Sequence, residues 1–195
     1  MQVLWNQNLT KLPRHERARD LFLIGAYTGL RVSDYNRLKR HNLKTVKGVE
    51  MIEIKAQKTG KIVAIPLHPI VKAILSKNDG EPPERLPDQH INYLIKEVAE
   101  SAGIDQVEYV PKTIGGREVT QKKYKFELIK THTARRSFCS NAFLAGMNPI
   151  EIMRISGHST ESAFMKYIKL STQDVAIKMS EHPFFKGATA LKRVD

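Results

Sequence analysis

Apolar side chains recur at helical spacing from residue 132 to residue 169, yet Gly146, Asn148-Pro149, Gly157 and Ser159-Thr160 interrupt the run, so it cannot be one helix. The punctuation predicts short helices at about 132 to 145, 149 to 155 and 160 to 169, and a last one from Ser171 to about Ser180. This matters for His158 and Tyr167. In an unbroken helix, residues nine apart lie on opposite faces and about 13 Å apart along the axis. The break instead leaves His158 in a loop and Tyr167 near the far end of a short helix, where a phenol is accessible and movable.

Upstream, Leu21, Ile24 and Tyr27, with Ala18 and Phe22, predict a helix from Arg14 to Tyr27 that ends at "TGL", and "RVSDYNRLKR" predicts a second, short one. Residues 42 to 48 read as a polar break. Two β-rich runs, 49 to 55 and 61 to 66, flank a turn at Thr59-Gly60 and predict a hairpin with Lys55, Lys58 and Lys61 at its tip. A helix from about Pro69 to Ser76 leads to the acidic, proline-containing surface loop "NDGEPPERLP", and another runs from about Asp88 to Ala102 before Gly103. Residues 107 to 130 predict a second extended pair turning at Gly115-Gly116. The fold class is therefore α+β, mainly α-helical with small antiparallel β elements, and 195 residues fit one domain with its own core.

The formal charge is +12, from 32 Lys and Arg against 20 Asp and Glu. Such a balance favours a polyanionic partner, and double-stranded DNA fits better than a membrane because the cations are not confined to one amphipathic helix or a tail. Eight basic residues lie between positions 112 and 136: Lys112, Arg117, Lys122, Lys123, Lys125, Lys130, Arg135 and Arg136, against Glu118 and Glu127. This segment is the expected contact with a phosphate backbone. The single cysteine, Cys139, sits in an apolar helical pattern, which excludes a disulfide framework and a cysteine-based zinc cluster. No apolar leader or membrane-length stretch occurs, so the expectation is a cytoplasmic protein with no membrane partner.

Arg135 has the best independent case for a function. On a helix beginning near Thr131 it shares a stripe with Phe138, Cys139, Ala142 and Phe143, and an arginine facing a core needs an anion. His132, one turn earlier on the same face, can converge with it at a helix N-terminus, itself an anion site. Arg136 points roughly a hundred degrees away and reads as a surface charge. Taken singly, the other candidates have ordinary explanations: Tyr167 as a packing residue, His132 as a capping or core residue, His158 as a loop residue, Arg31 as the ion partner of Asp34, and Lys58 as one solvated lysine among several.

Taken in order, however, "TGLRVSD", the lysine of "QKTGK", "HTARRSF", "SGHST" and "YIK" resemble the catalytic signature of the tyrosine recombinases, or phage integrases, over residues about 15 to 170. Within that family the chain looks most like the integrases of Bacteroides-type mobile elements. The resemblance implies the catalytic-domain fold and DNA strand cleavage and rejoining through a 3′-phosphotyrosyl intermediate, for integration or excision of a mobile element. It matches Arg31 and Arg135 to the two catalytic arginines, Lys58 to the hairpin lysine, His132 and His158 to the two histidines and Tyr167 to the nucleophile. Asp34 matches a supporting acidic residue that steadies Arg31 or His132. It also implies a tetrameric synapse with other recombinase protomers on DNA, accessory DNA-bending or excision proteins, and a bacterial, nucleoid-associated location.

The residue types suit that chemistry. Two guanidinium forks match the charge that develops on a phosphorane, and they need neither metal nor cofactor. A phenol of pKa ~10 is about one part in a thousand ionised at neutral pH, so Tyr167 needs a base, for which His132 is the candidate. Lys58 would protonate the leaving 5′ oxygen, and His158 would donate a hydrogen bond to a nonbridging oxygen. Two other readings stay open: a type IB topoisomerase-like relaxase, and a basic DNA-binding module without catalysis. The whole of residues 1 to 195 is expected to be catalytic domain, without the N-terminal core-binding clamp, and the tail from 171 to 195 is expected to dock either onto a neighbouring protomer or back on its own domain.

Overall fold

The computed structural model describes residues 1 to 168 and 170 to 187. The last residue of the helix expected at 160 to 169, the lysine of "YIK" and the end of the tail therefore lie outside the described residues.

At the centre is α2 (Pro13–Thr28), following a one-turn α1 (Gln2–Trp5). Ala18, Leu21, Phe22, Leu23, Ile24 and Ala26 are all buried, so this helix is covered on every side rather than along one stripe. It packs against α4 (Pro69–Lys77), α5 (Asp88–Ser101) and α6 (Thr131–Leu144). Between α2 and α4 come α3, a single turn at Val32–Tyr35, and a three-stranded antiparallel sheet of β1 (Leu43–Val46), β2 (Val49–Lys55) and β3 (Ile62–Pro66) in that order. Burial alternates along β2 and β3: Ile52, Ile54, Val63 and Ile65 enter the core while their neighbours face water.

The third strand is a departure from the expected hairpin, because β1 occupies the stretch read as a polar break. Its side chains are nearly all exposed, with only Leu43 half-buried, so no hydrophobic alternation marks it. The signal lay in the turn: Lys47 and Gly48 both have positive φ, 50° and 78°, as a two-residue hairpin connection requires. In the acidic loop that follows α4, Pro83 and Leu86 are buried although the segment as a whole runs over the surface.

Strands β4 (Val107–Ile114) and β5 (Arg117–Tyr124) form a separate two-stranded ribbon, turning at Gly115-Gly116 as expected. Nearly every ribbon residue is exposed on both faces. Its base is held where Lys125 and Phe126 donate backbone bonds to Gln106 and Ile104. After α6 come α7 (Pro149–Ser156), α8 (Glu161–Met165) and α9 (Thr172–Ser180), with Asn148, Thr160 and Ser171 capping their N-termini through side-chain oxygens. Helix α8 is shorter than expected, and Tyr167 lies in the turn beyond it.

Phe138, Cys139, Ile152 and Phe164 make a second, smaller core under α6 to α8, with Tyr167 and Ile168 packed on it. Gly29 joins the two cores. It caps α2 with φ 67°, and a Cβ there would come within 2.3 Å of the Phe138 ring. Replacing it by alanine combines left-handed strain with a steric clash at the α2–α6 contact. Gly29→Ala is expected to lower unfolding free energy by about 2 to 4 kcal/mol, read from urea unfolding; a loss below about 1 kcal/mol would mean that the helices part easily at this point.

Candidate active site

Each candidate side chain enters from the end of an element. Arg31 is the residue that precedes α3, Lys58 stands on the β2–β3 turn, His132 and Arg135 occupy the first turns of α6, His158 follows the left-handed cap of α7, and Tyr167 follows α8. Gly157 supplies that cap with φ 65°, reversing the chain so that His158 points back toward α6. The start of α6 is set by Asn92 on α5, whose side-chain oxygen accepts from the Thr131 N–H at 2.7 Å.

Arg31, Lys58, His132, Arg135 and Tyr167 line one pocket of about 290 Å³, together with Val32, Ser33 and Thr131. His158 is off its wall, beside Tyr167, whose ring meets it edge-on at 4.3 Å between centroids. The Tyr167 ring also lies 5.1 Å from His132 and 5.8 Å from the Arg135 guanidinium carbon. The phenol-bearing turn is held by backbone groups: the Tyr167 N–H donates to Phe164 at 2.8 Å, and its carbonyl accepts from the Ser140 hydroxyl at 3.2 Å. Six side chains spread over 137 residues of sequence are thus gathered at one place.

Arg135 is 3 % exposed, as its stripe requires, but its charge meets carbonyls rather than a carboxylate. One guanidinium nitrogen donates to the Gly29 carbonyl at 2.7 Å and another to the Ser156 carbonyl. These are the ends of α2 and α7, where helix dipoles concentrate negative charge. Arg31 donates to the next carbonyl, that of Gly157, at 3.4 Å. Two buried atoms of the site keep unused hydrogen-bonding capacity: Arg135 Nε and His158 Nε2 have no partner among the described residues.

The carboxylate of Asp34, 1 % exposed, steadies neither Arg31 nor His132 as the resemblance implies. It accepts the Gln57 N–H at 2.8 Å and pairs with Arg37 at 3.2 Å. Arg37 also donates to the Lys55 carbonyl. The reason is register: Asp34 lies on the turn of α3 that faces the β2–β3 loop. Its effect falls on the residue beside Lys58 and so on where that lysine stands.

The field at the site is strongly positive. Burial first, then Arg136, Arg135 and Arg31, hold the His132 pKa below the usual imidazole value. Arg136, half-buried, is therefore close enough to act on the site and is more than a distant surface charge. Burial, with Arg31 adding, pulls Arg135 down to about 10, which leaves it protonated at neutral pH. Burial and then Arg135, Arg31 and His132 push His158 down to about 4, so its imidazole is neutral. Among the described residues no group of three or more His, Cys, Asp and Glu is placed to hold a metal ion.

The ribbon cations divide. Cross-strand partners share a face, so Lys112, Arg117 and Lys123 stand on one side and Lys122 on the other. Lys123 is paired with Glu127 at 3.3 Å, and Lys122 lies over the Tyr124 ring at 5.9 Å. Lys125, just past β5, is exposed. Residues that sequence reasoning passed over are Ser140, Asn92, Gln57 and Ser156. Only Ser156, inside "SGHST", carried a visible signal.

The model of the phage integrase family matches residues 4 to 174. Among solved structures, the XerH site-specific recombinase bound to its difH substrate is similar at 17 % identity and a TM-score of 0.63, over 92 % of this chain and 49 % of that one. The Tn1549 transposon integrase in complex with circular intermediate DNA gives 21 %, 0.50, 86 % and 58 %, and the catalytic domain of bacteriophage HP1 integrase gives 17 %, 0.50, 91 % and 96 %. The chain thus spans about half the length of XerH. No curated protein sequence matches it. Among the described residues no helix is long and apolar enough to cross a membrane.

A depressed histidine makes stability depend on pH. Unfolded, His158 takes up its proton near 6.5; folded, only near 4. Between those values the unfolded chain binds more protons, so His158 makes the protein less stable as pH falls through this window. The pH dependence of urea unfolding is expected to flatten there in His158→Gln relative to the unsubstituted protein; identical curves would place the titration elsewhere.

Proposed function

Since the chain belongs to the phage integrase family and has the fold of a tyrosine recombinase catalytic domain, we propose that it cleaves and rejoins DNA strands through a 3′-phosphotyrosyl intermediate on Tyr167. The observation that carries this reading is the pocket itself: two arginines, a lysine, a histidine and a phenol around a space of about 290 Å³, with a buried Arg135 Nε left without a partner among the described residues. A desolvated donor with nothing to bind is costly unless a ligand completes it. A phosphodiester supplies both the oxygens and the negative charge.

In the proposed reaction Arg31 and Arg135 bind the nonbridging oxygens and stabilise the charge that grows on them as Tyr167 attacks phosphorus. His132, whose pKa is lowered by burial and then by its cationic surroundings, accepts the phenol proton. Lys58, on a turn anchored through Gln57 to Asp34, protonates the departing 5′ oxygen. The phosphotyrosine retains the bond energy, so a new 5′ hydroxyl rejoins the strand without ATP. The arginines perform the charge stabilisation that a metal performs in other nucleases.

The finer reading is a mobile-element integrase of the Bacteroides type, supported by the motif strings and by likeness to a transposon integrase. A tetrameric synapse follows from the family resemblance, with accessory DNA-bending or excision proteins as further partners. In that assembly the tail would dock on a neighbouring protomer. Here α9 lies against its own domain, where Lys178 donates to the Phe143 carbonyl, but Ile177 and Met179 on it, and Phe184 and Phe185 just beyond it, are exposed. Such an apolar edge is suited to a protein surface.

A nicked suicide duplex carrying the target site is expected to form a covalent adduct that Tyr167→Phe abolishes and that chelators leave intact. An adduct persisting in Tyr167→Phe would remove the assignment. The ribbon is proposed to contact the DNA backbone with its three-cation face, in company with Lys125 at its base and Arg136 at the pocket edge. Lys112→Ala with Arg117→Ala should lower the slope of log K against log salt by about two, whereas Lys122→Ala should change it less. Equal slopes for all three proteins would put the DNA elsewhere.

A further inference from the structure

Ser156 is the last residue of α7, 1 % exposed, and its hydroxyl oxygen, beside the thiol of Cys139, has two polar groups at short hydrogen-bond distance. The Ile152 carbonyl is at 2.6 Å and Nδ1 of His158 at 2.7 Å. The hydroxyl has one proton to give. A carbonyl can only accept, so that proton belongs on the Ile152 side; otherwise two oxygens would face each other at 2.6 Å with nothing between them. Nδ1 must then donate to the serine oxygen, since two lone pairs at 2.7 Å repel. A neutral imidazole with its proton on Nδ1 has none on Nε2.

We propose that Ser156 is a positioning residue that locks His158 in the Nδ1–H tautomer, so that His158 turns a lone pair toward the Tyr167 side of the site and donates to a phosphate oxygen only after taking up a proton. This deepens the strand-cleavage reading and rests on it for the phosphate; the tautomer itself is a property of the DNA-free protein.

Three observations fit together here. Nε2 is the buried ring nitrogen without a partner, and it lies in the part of the molecule where the Tyr167 ring packs edge-on at 4.3 Å. The groups acting on His158 are Arg135 and His132 from α6 and Arg31 from the residue before α3, with the Tyr167 phenol beside it beyond α8. All but the phenol oppose a second ring proton, and they act alongside burial. A phosphodiester entering among them reverses the local balance and favours the imidazolium. In addition, the Ser156 carbonyl holds Arg135 while its hydroxyl holds His158, so one residue sets the position of two. The sequence expectation that His158 donates a hydrogen bond to a nonbridging oxygen therefore gains a condition: donation at Nε2 requires the charged form.

The test is nitrogen-15 NMR of the histidine-labelled chain above pH 7, with His158 identified by the signals lost in His158→Gln. Nδ1 should resonate as a protonated, pyrrole-type nitrogen and Nε2 as a pyridine-type one. Ser156→Ala should populate the Nε2–H form and, because the ring is no longer held in place, slow adduct formation on the suicide duplex about tenfold. Ser156→Thr, which keeps the hydroxyl, should restore both the tautomer and the rate to within about threefold. A pyridine-type Nδ1 in the unsubstituted protein, or an unchanged tautomer in Ser156→Ala, overturns the proposal. If Ser156→Ala fails to fold, the spectra of the unsubstituted and threonine proteins decide alone. An Nδ1–H tautomer in a protein that forms no Tyr167-dependent adduct upholds the role of Ser156 and rejects strand cleavage instead.

Discussion

The guanidinium of Arg135, clasped between the carbonyls of Gly29 and Ser156, is the contact on which the rest of the site depends. It bridges the C-terminal ends of α2 and α7, which belong to different apolar clusters, and it does so from α6, which touches both. A buried cation with no carboxylate would cost several kcal/mol. Two helix termini lessen that cost, because each has carbonyls that no N–H of its own helix satisfies. The same clasp leaves Nε unsatisfied, so the residue that joins the two clusters is also the one with a donor to spare.

That arrangement explains the electrostatics. Arg31 binds the carbonyl next to the one Arg135 uses, which brings two like charges to adjacent positions of one helix end. Burial first, and then these charges, lower the affinity of both histidines for protons. The protein thus carries neutral imidazoles in a positive field, the state in which a base is useful and in which an incoming anion is attracted without prior rearrangement. Asp34 stays out of this balance because its charge is spent on Arg37 and Gln57.

Much of this was legible in the sequence where a single physical rule dominated. The stripe containing Arg135 announced burial, and the breaks at Gly157 and Ser159-Thr160 announced that His158 and Tyr167 need not be on opposite faces. What escaped reading depended on partners distant in sequence. Strand β1 has no alternation to detect because its side chains face water. The role of Asp34 depends on the β2–β3 loop coming alongside α3, and the role of Asn92 on α5 abutting the start of α6. The burial of Arg135 was legible, but its protein partners were not, because they are backbone carbonyls, which have no sequence signature. The eight cations between positions 112 and 136 looked like one patch, but strand pairing sends the four on the ribbon to different faces, and Arg135 is buried on α6.

Helix α8 ends two residues before Tyr167, and that small displacement separates the phenol from any helical ladder. Among the described residues it is retained by one bond from its own amide, one to its carbonyl, a side-chain hydrogen bond with Arg135 and the packing of its ring. Releasing such a segment is a local opening, far cheaper than melting a helix or the domain. The Tyr167 phenol is therefore mounted on a latch: the scaffold can stay rigid while one turn swings, and in the proposed reaction the moment of attack would be set by whatever lifts that turn.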